Sequence, residues 1–199
     1  MFGIIEEVLE IPEPLLYTPG IDMTCIVALS HNGKVYMGGD GAAADENSSA
    51  VSSRKEPKVF IKGQYIIGYS GSFRFGKVVQ HSFNPPKPQG DDMDKFLNTA
   101  FVADLREACE LAKVDPSSED DSSEMLVGVN GRVFEFCNDW HFGEDINNFN
   151  AIGSGSSLAL GSLYSTRQRT SPHARIRLAL ESAERFSSSV RKPFTILEL

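Results

Sequence analysis

The sequence is poor in cysteine and in positive charge, and it has no long apolar run. Three cysteines among 199 residues, without metal-ligand spacing, argue against a disulfide framework and for free thiols in a reducing cytosol. The 19 lysines and arginines are outnumbered by 27 aspartates and glutamates, and the net charge of −8 argues against a broad nucleic-acid-binding face. No apolar run approaches the roughly 20 residues that span a bilayer, so no membrane partner is expected.

The first 23 residues lack the features of a secretory signal. They contain glutamates and prolines but no lysine or arginine, whereas a secretory signal needs a basic start and an apolar middle. We therefore predict a cytoplasmic protein. Residues 1–23 are expected to form a lead or propeptide ahead of one domain in residues 24–199.

Turn signals predict three β-hairpins. Asn32-Gly33 and Asn130-Gly131 each separate two apolar runs, and Asn-Gly is the strongest short-range hairpin signal. A third strand pair is predicted to turn at Lys62-Gly63. A last strand is expected in residues 194–199.

Helices are predicted between these strands. One begins after Ser72, and another is capped by Asp92 or Asp94. A third follows a glycine-rich turn, and a fourth has Ser171 as its cap and Pro172 at its first position. The apolar stripe of the second helix is expected at Phe96, Ala100, Val102, Leu105 and Leu111.

The order of these elements favours an α+β layered domain. Strand hairpins alternate with pairs of helices, and successive strands lack the crossover helices that a parallel sheet requires. A doubly wound sheet is therefore not expected.

Several short motifs fail as cofactor or metal sites. The segment IGSGSS (152–157) lacks the Lys-Ser/Thr ending of a phosphate-binding loop, so the chain has no nucleotide site of its own. The segment GYSGS (68–72) does not match the Gly-x-Ser-x-Gly nucleophile elbow. The four histidines are scattered without metal-ligand spacing. No cofactor and no metal are predicted.

Four motifs occur in order from Thr24 to the end of the chain. In the first, two strands around Asn32-Gly33 lead to a Gly-Gly-Asp-Gly segment that puts Asp40 sixteen residues after Thr24. The others are KVFIKGQYIIGYSGS, AIGSGSSLALGSLYS and the final FTILEL. Together they resemble the proteasome β subunits, and more closely the HslV peptidases, of the N-terminal nucleophile hydrolase superfamily. The resemblance implies a four-layer αββα sandwich, with two antiparallel sheets between helix layers, and a threonine-type peptidase.

Carried over position by position, the resemblance implies three central residues. Thr24 matches the nucleophile, and Asp40 matches the aspartate that orients a catalytic lysine. The family spacing for that lysine falls on Glu56, between two candidates, Lys55 and Lys58. Lys58 is preferred because it directly precedes an apolar strand, as the family's lysine does.

The resemblance also implies residues around this centre. Gly71 matches the glycine whose N–H donates to the oxyanion, and Ser154 matches the serine of the Gly-Ser-Gly turn near the nucleophile. The chain departs from proteasome β subunits in RFSSSV, which lacks their Asp-x-x-Ser pattern and leaves Ser189 as a weak match. By analogy, Ala43 and Tyr69 line a substrate channel.

The chemistry fits these residue types. A threonine hydroxyl needs a base beside it, and a free α-amine, with a pKa of about 7.7–8.0, can take its proton directly or through one water. A buried lysine ammonium favours the deprotonated forms of its neighbours and needs a counter-charge, which Asp40 would supply. The Gly71 N–H would stabilise negative charge on the attacked carbonyl.

The position of Thr24 inside the chain leaves three functions open. Residues 1–23 could be removed by autolysis, or translation could begin at Met23; either route frees the Thr24 amine. If the lead remains, the chain is a non-catalytic structural subunit. An amidase acting on small amides is a further alternative, as is a nucleophilic Cys25 exposed by trimming one residue more.

The resemblance also implies partners. It implies self-association into rings as a homo-oligomer, peptide or unfolded protein substrates, and an ATP-dependent unfoldase.

Overall fold

Antiparallel pairing organises the chain in the computed structural model, which describes residues 24–44, 51–118, 122–168 and 171–199. The predicted lead in residues 1–23 lies outside these ranges. The strands are β1 (Ile26–His31), β2 (Lys34–Gly39), β3 (Ala42–Ala44), β4 (Val51–Ser53), β5 (Val59–Lys62), β6 (Tyr65–Gly71), β7 (Ser123–Val129), β8 (Arg132–Phe136), β9 (Phe142–Gly143), β10 (Phe149–Ile152) and β11 (Thr195–Glu198).

The helices stand where the sequence places them. They are α1 (Phe73–Lys77), continued by a π-helical turn at Val78–Ser82; α2 (Met93–Phe96), continued by a π-helical turn at Leu97–Phe101 into α3 (Val102–Ala112); α4 (Ser156–Ser165); and α5 (Pro172–Phe186). Of the predicted caps, Asp92 (not Asp94) and Ser171 are confirmed, and Ser72 caps the helix that was expected to begin after it. Each accepts a backbone N–H in the first turn of the helix that follows. None of the helices in the described ranges combines the length and the apolarity that crossing a membrane requires.

Two larger sheets form from the hairpins. One has the strand order β10-β1-β2-β11 and the other β5-β6-β7-β8-β9, while β3 and β4 form a small separate pair. Every strand pair is antiparallel, as predicted. The turns at Asn32-Gly33 and Asn130-Gly131 are confirmed. The third turn lies one residue later than predicted. Lys62 still pairs with Tyr65, which leaves Gly63-Gln64 as the loop.

The apolar side chains form three layers of core, which confirms the αββα sandwich. Between the two sheets lie Ile26, Ala28, Val35, Met37, Val59, Ile66, Leu126, Val133 and Ile152. The outer face of the five-stranded sheet packs against α1, α2 and α3 through a large aromatic cluster, and the outer face of the four-stranded sheet packs against α4 and α5. Each sheet therefore buries both of its faces.

The apolar stripe predicted for the second helical segment is partly wrong. Leu111 is 80 % exposed, and Ala100 is also exposed. Burial instead follows a line through Leu97, Phe101, Leu105 and Cys109. Leu111 comes two residues after Cys109, a rotation of about 200° around the helix axis, so it points to the opposite side.

Two helical glycines should respond to alanine in opposite directions. A Cβ on Gly76 in α1 would lie 2.1 Å from the buried ring of Tyr69, so Gly76→Ala should lower the free energy of unfolding by about 1–3 kcal/mol through overpacking. Gly161 in α4 is the matched control, because its Cβ would meet nothing within 4 Å. Gly161→Ala should raise the stability by up to about 1 kcal/mol through helix propensity. Urea denaturation measures both, and equal effects would contradict this packing.

Candidate active site

Three polar side chains meet where strands of the two large sheets begin and end. Thr24 precedes β1 and Asp40 follows β2. Because β1 and β2 are antiparallel, with Ile26 opposite Gly39, these two positions are neighbours. The Asp40 N–H donates to the Cys25 carbonyl at 3.2 Å and extends the ladder to that point. Lys58 precedes β5 in the facing sheet and reaches across.

The Lys58 ammonium joins the other two side chains. Its Nζ donates to Thr24 Oγ1 at 2.8 Å and to Asp40 Oδ1 at 3.0 Å. Each of the three residues is only 3 % exposed. An ion pair removed from water costs several kcal/mol of desolvation per ion, which only good geometry and further hydrogen bonds offset.

Backbone N–H groups supply these further hydrogen bonds to Asp40. Oδ1 accepts from Cys25 N at 3.1 Å, and Oδ2 accepts from Ala42 N at 3.0 Å and from Arg191 N at 3.4 Å. Burial raises the pKa of the Asp40 carboxyl, while the Lys58 ammonium and the N–H groups of Cys25 and Ala42 act in the opposite direction. Since each of these contacts is a donor, the ionised carboxylate is the form that satisfies all of them.

The glycine-rich turn after β10 encloses the backbone of Thr24. Because β10 pairs with β1, the turn emerges beside Thr24. Thr24 N donates to the Ser154 hydroxyl oxygen at 3.4 Å. The Thr24 carbonyl oxygen accepts from the Ser154 hydroxyl at 3.3 Å and from Gly155 N at 3.1 Å. Gly153 has φ +84°, and a Cβ there would lie 2.5 Å from the Thr24 carbonyl oxygen. Glycine is therefore required at position 153.

A row of serine hydroxyls continues from Ser154. Ser154 Oγ lies 2.8 Å from Ser189 Oγ, which lies 2.5 Å from Ser187 Oγ. The weak sequence match of Ser189 thus falls beside Ser154. Sequence reasoning did not single out Ser187; the only signal was the serine run after α5.

The other predicted residues are less closely connected to Thr24. Gly71 ends β6 with φ +94°, where a Cβ would lie 2.2 Å from the Ser122 carbonyl oxygen; its role as an oxyanion donor stays a prediction. Ala43 and Tyr69 are 2 % and 1 % exposed, about as buried as Thr24 itself, and their place along a substrate channel stays a prediction. Lys55 is exposed and does not share the buried site of Lys58.

Cys25 is poorly suited to serve as a nucleophile. Its side chain is completely buried in the core between the four-stranded sheet and its helices. Burial, with a smaller contribution from the Asp40 charge, raises the pKa of the thiol to about 12. The thiolate, which is the reactive form, is therefore strongly disfavoured at neutral pH.

Removing one partner of the buried ion pair should lower the free energy of unfolding strongly. Removing both partners should lower it by less than the sum of the two single losses. Asp40→Asn removes the carboxylate that lies 3.0 Å from the buried Lys58 ammonium, so the free energy of unfolding should fall by about 3–5 kcal/mol. Adding Lys58→Met to Asp40→Asn should restore part of that loss, as measured by urea denaturation. The exposed pair Lys34–Glu198, at 3.2 Å, is the matched control, and its coupling should be much weaker because water screens it. Additive losses at positions 40 and 58 would contradict the coupling.

Comparison with known proteins identifies the fold. No family model matches the chain, and no curated protein matches it by sequence. Among solved structures, Thiobacillus denitrificans BPH in complex with epoxomicin superimposes with a TM-score of 0.71 at 19 % identity, covering 88 % of this chain and 98 % of BPH. Eukaryotic HslV from Trypanosoma brucei gives 0.64 at 15 % identity, covering 88 % and 99 %. Pseudomonas aeruginosa Anbu, described as a helical assembly, gives 0.62 at 14 % identity, covering 88 % and 81 %. The chain thus has the same fold as BPH, HslV and Anbu.

Proposed function

We propose that this chain is a threonine-type peptidase in which Thr24 acts as an N-terminal nucleophile once residues 1–23 are removed. The observation that carries the proposal is the position of the Lys58 ammonium, 2.8 Å from the Thr24 hydroxyl and 3.0 Å from the Asp40 carboxylate. A buried cation at a hydroxyl stabilises the oxyanion that forms when the hydroxyl loses its proton. The carboxylate pairs with the ammonium and holds it in place.

The proposed reaction has two stages. The freed α-amine of Thr24 takes the hydroxyl proton, and Oγ1 attacks a peptide carbonyl carbon to form a tetrahedral oxyanion. The Gly71 N–H is proposed to donate to that oxyanion. The C–N bond then breaks, the amine product leaves with a proton, and an ester on Thr24 remains. Water hydrolyses the ester and returns the proton to Oγ1.

Ser154 would position the base in this scheme. In the intact chain the Thr24 nitrogen belongs to a peptide bond and cannot accept a proton. Its N–H already donates to Ser154 Oγ at 3.4 Å. After cleavage, the same hydroxyl, held by Ser189, would remain beside the new amine and fix its direction.

The fold supports a proposal about assembly. One solved neighbour, Anbu, is described as a helical assembly, and we propose that this chain also associates with copies of itself, in rings that enclose the sites. Peptides or unfolded proteins would be the substrates, with an ATP-dependent unfoldase as a partner in the cytoplasm. A multi-angle scattering measurement of the purified chain tests the self-association.

The mass of the purified protein should reveal a chain that begins at Thr24. Intact-mass and N-terminal sequencing of protein from its native source would detect the loss of residues 1–23, and hydrolysis of a peptide panel should appear only in that shortened material. A folded chain that retains Met1 and cleaves no peptide would indicate a structural subunit instead. Cleavage of small amides but not of peptides would indicate an amidase.

Substitutions should separate the nucleophile from its surroundings. Thr24→Ala should abolish peptide hydrolysis, because the attacking oxygen is lost, whereas Thr24→Ser should retain part of it. Lys58→Ala should lower kcat by at least about a hundredfold, in line with the loss of a positioned acid–base or electrostatic group. The exposed Lys55→Ala is the matched control and should leave kcat within about twofold. Circular dichroism should confirm that each variant is folded.

Near-normal turnover in Thr24→Ala would overturn the nucleophile assignment. A larger loss in Lys55→Ala than in Lys58→Ala would move the catalytic lysine to position 55.

A further inference from the structure

The connection between β8 and β9 brings three different metal-ligating side chains together. Cys137, Asp139 and His141 alternate along five residues, and one ligand atom from each lies within 4.8 Å of the others. Within the ranges that the structure describes, this is the one such cluster of three histidine, cysteine or acidic side chains. It shares no residue with the Thr24 site.

Backbone hydrogen bonds fix the shape of this turn. Cys137 N donates to the His141 carbonyl at 2.9 Å, and Trp140 N donates to the Cys137 carbonyl at 3.0 Å. The N–H of His141 donates to Asp139 Oδ1 at 3.2 Å. These bonds fix the backbone of the turn before any ion arrives, which lowers the entropy cost of binding.

Trp140 anchors the turn to the body of the domain. Its ring packs edge-on against Phe136 with the centroids 5.7 Å apart, and the Arg106 guanidinium lies 4.6 Å from the ring centroid. Residue 140 adopts φ +69°, a conformation that tryptophan rarely takes. The anchored ring leaves the side chains on either side of it directed away from the core, since Asp139 and His141 are both exposed.

The histidine ring is turned to present one nitrogen to the cluster. His141 Nδ1 lies 3.7 Å from Asp139 Oδ1, while a Cβ on Gly143 would lie 3.4 Å from His141 Nε2. Nδ1 therefore faces the carboxylate and Nε2 faces β9. With zinc–nitrogen and zinc–oxygen bonds of about 2.0–2.2 Å, a tetrahedral ion places these two atoms about 3.3–3.6 Å apart, so the observed 3.7 Å requires only a small movement of the side chains.

The donor set and its surroundings favour a zinc ion. Sulfur, imidazole nitrogen and carboxylate oxygen are the ligand types that zinc takes in proteins, whereas magnesium and calcium prefer oxygen alone. Burial first, and then the negative charges of Glu135, Asp139 and Glu124, raise the pKa of the Cys137 thiol, and the same charges would attract a cation. Cys137 is also the one cysteine that is not buried.

We propose that Cys137 Sγ, Asp139 Oδ1 and His141 Nδ1 bind one zinc ion, with water in the fourth position. Binding would displace the thiol proton to solvent and leave a zinc-bound thiolate. The ion would tie the β8–β9 turn together.

Zinc titration of the full-length protein tests the proposal. The wild-type chain should bind one equivalent of Zn²⁺ at micromolar concentration, measured by competition with a chromophoric chelator and by native mass spectrometry. Cys137→Ala and His141→Ala should each weaken zinc binding by at least about tenfold. Substitution of residues that only contact the ligands already costs that much, and these two residues are proposed as ligands themselves. Co²⁺ should give thiolate-to-metal charge-transfer absorption in the wild type that Cys137→Ala lacks.

Matched controls keep the test specific. Cys109→Ala removes a buried thiol and His81→Ala an exposed imidazole, and both variants should bind zinc as the wild type does. Zinc should also slow the alkylation of Cys137 by iodoacetamide. The proposal is overturned if the folded wild-type chain binds no zinc at these concentrations, or if Cys137→Ala and His141→Ala bind it unchanged.

Discussion

The buried pair of Lys58 and Asp40 is the constraint on which the candidate site depends. An ammonium and a carboxylate at 3.0 Å, both almost completely buried, are stable only if the remaining carboxylate lone pairs also find donors. Three backbone N–H groups meet that need, and they come from the start of β1, the segment after β2 and the segment before β11. The ends of three strands must therefore converge on one side chain.

The register of the four-stranded sheet produces that convergence. β1 lies between β10 and β2, so the residue before β1 has the glycine-rich turn on one side and Asp40 on the other. The second sheet contributes Lys58, whose long side chain reaches the junction from the start of β5. Thr24, just before a central strand, is thus held by neighbours on both sides, and this rigidity would limit the reorganisation that the proposed catalysis requires.

The residues of both the candidate peptidase site and the proposed zinc site lie where strands begin or end. At a strand end the sheet gives a rigid support, while the backbone is no longer bound by strand pairing, so side chains there can point away from the core. The burial differs between the two places. The Thr24 centre is enclosed and suits proton transfer between protein groups, whereas the Cys137 turn is open and suits an ion arriving from solvent.

The sequence by itself determined the local structure and the fold class. The turns at Asn32-Gly33 and Asn130-Gly131 and the caps at Ser72, Asp92 and Ser171 depend on near neighbours in the chain, and each stands where the pattern put it. The order of the motifs then indicated the sandwich, and all catalytic candidates around Thr24 came from that resemblance.

Only the tertiary structure decided which side chains meet. Family spacing fell between Lys55 and Lys58, and the packing of one sheet on the other brings Lys58 to Thr24. Tyr69 is buried and Leu111 is exposed, because the burial of a side chain depends on its direction relative to distant elements. Cys137, Asp139 and His141 showed no recognised spacing, and a tight turn joins them. Such contacts depend on distances in space, which a linear pattern does not contain.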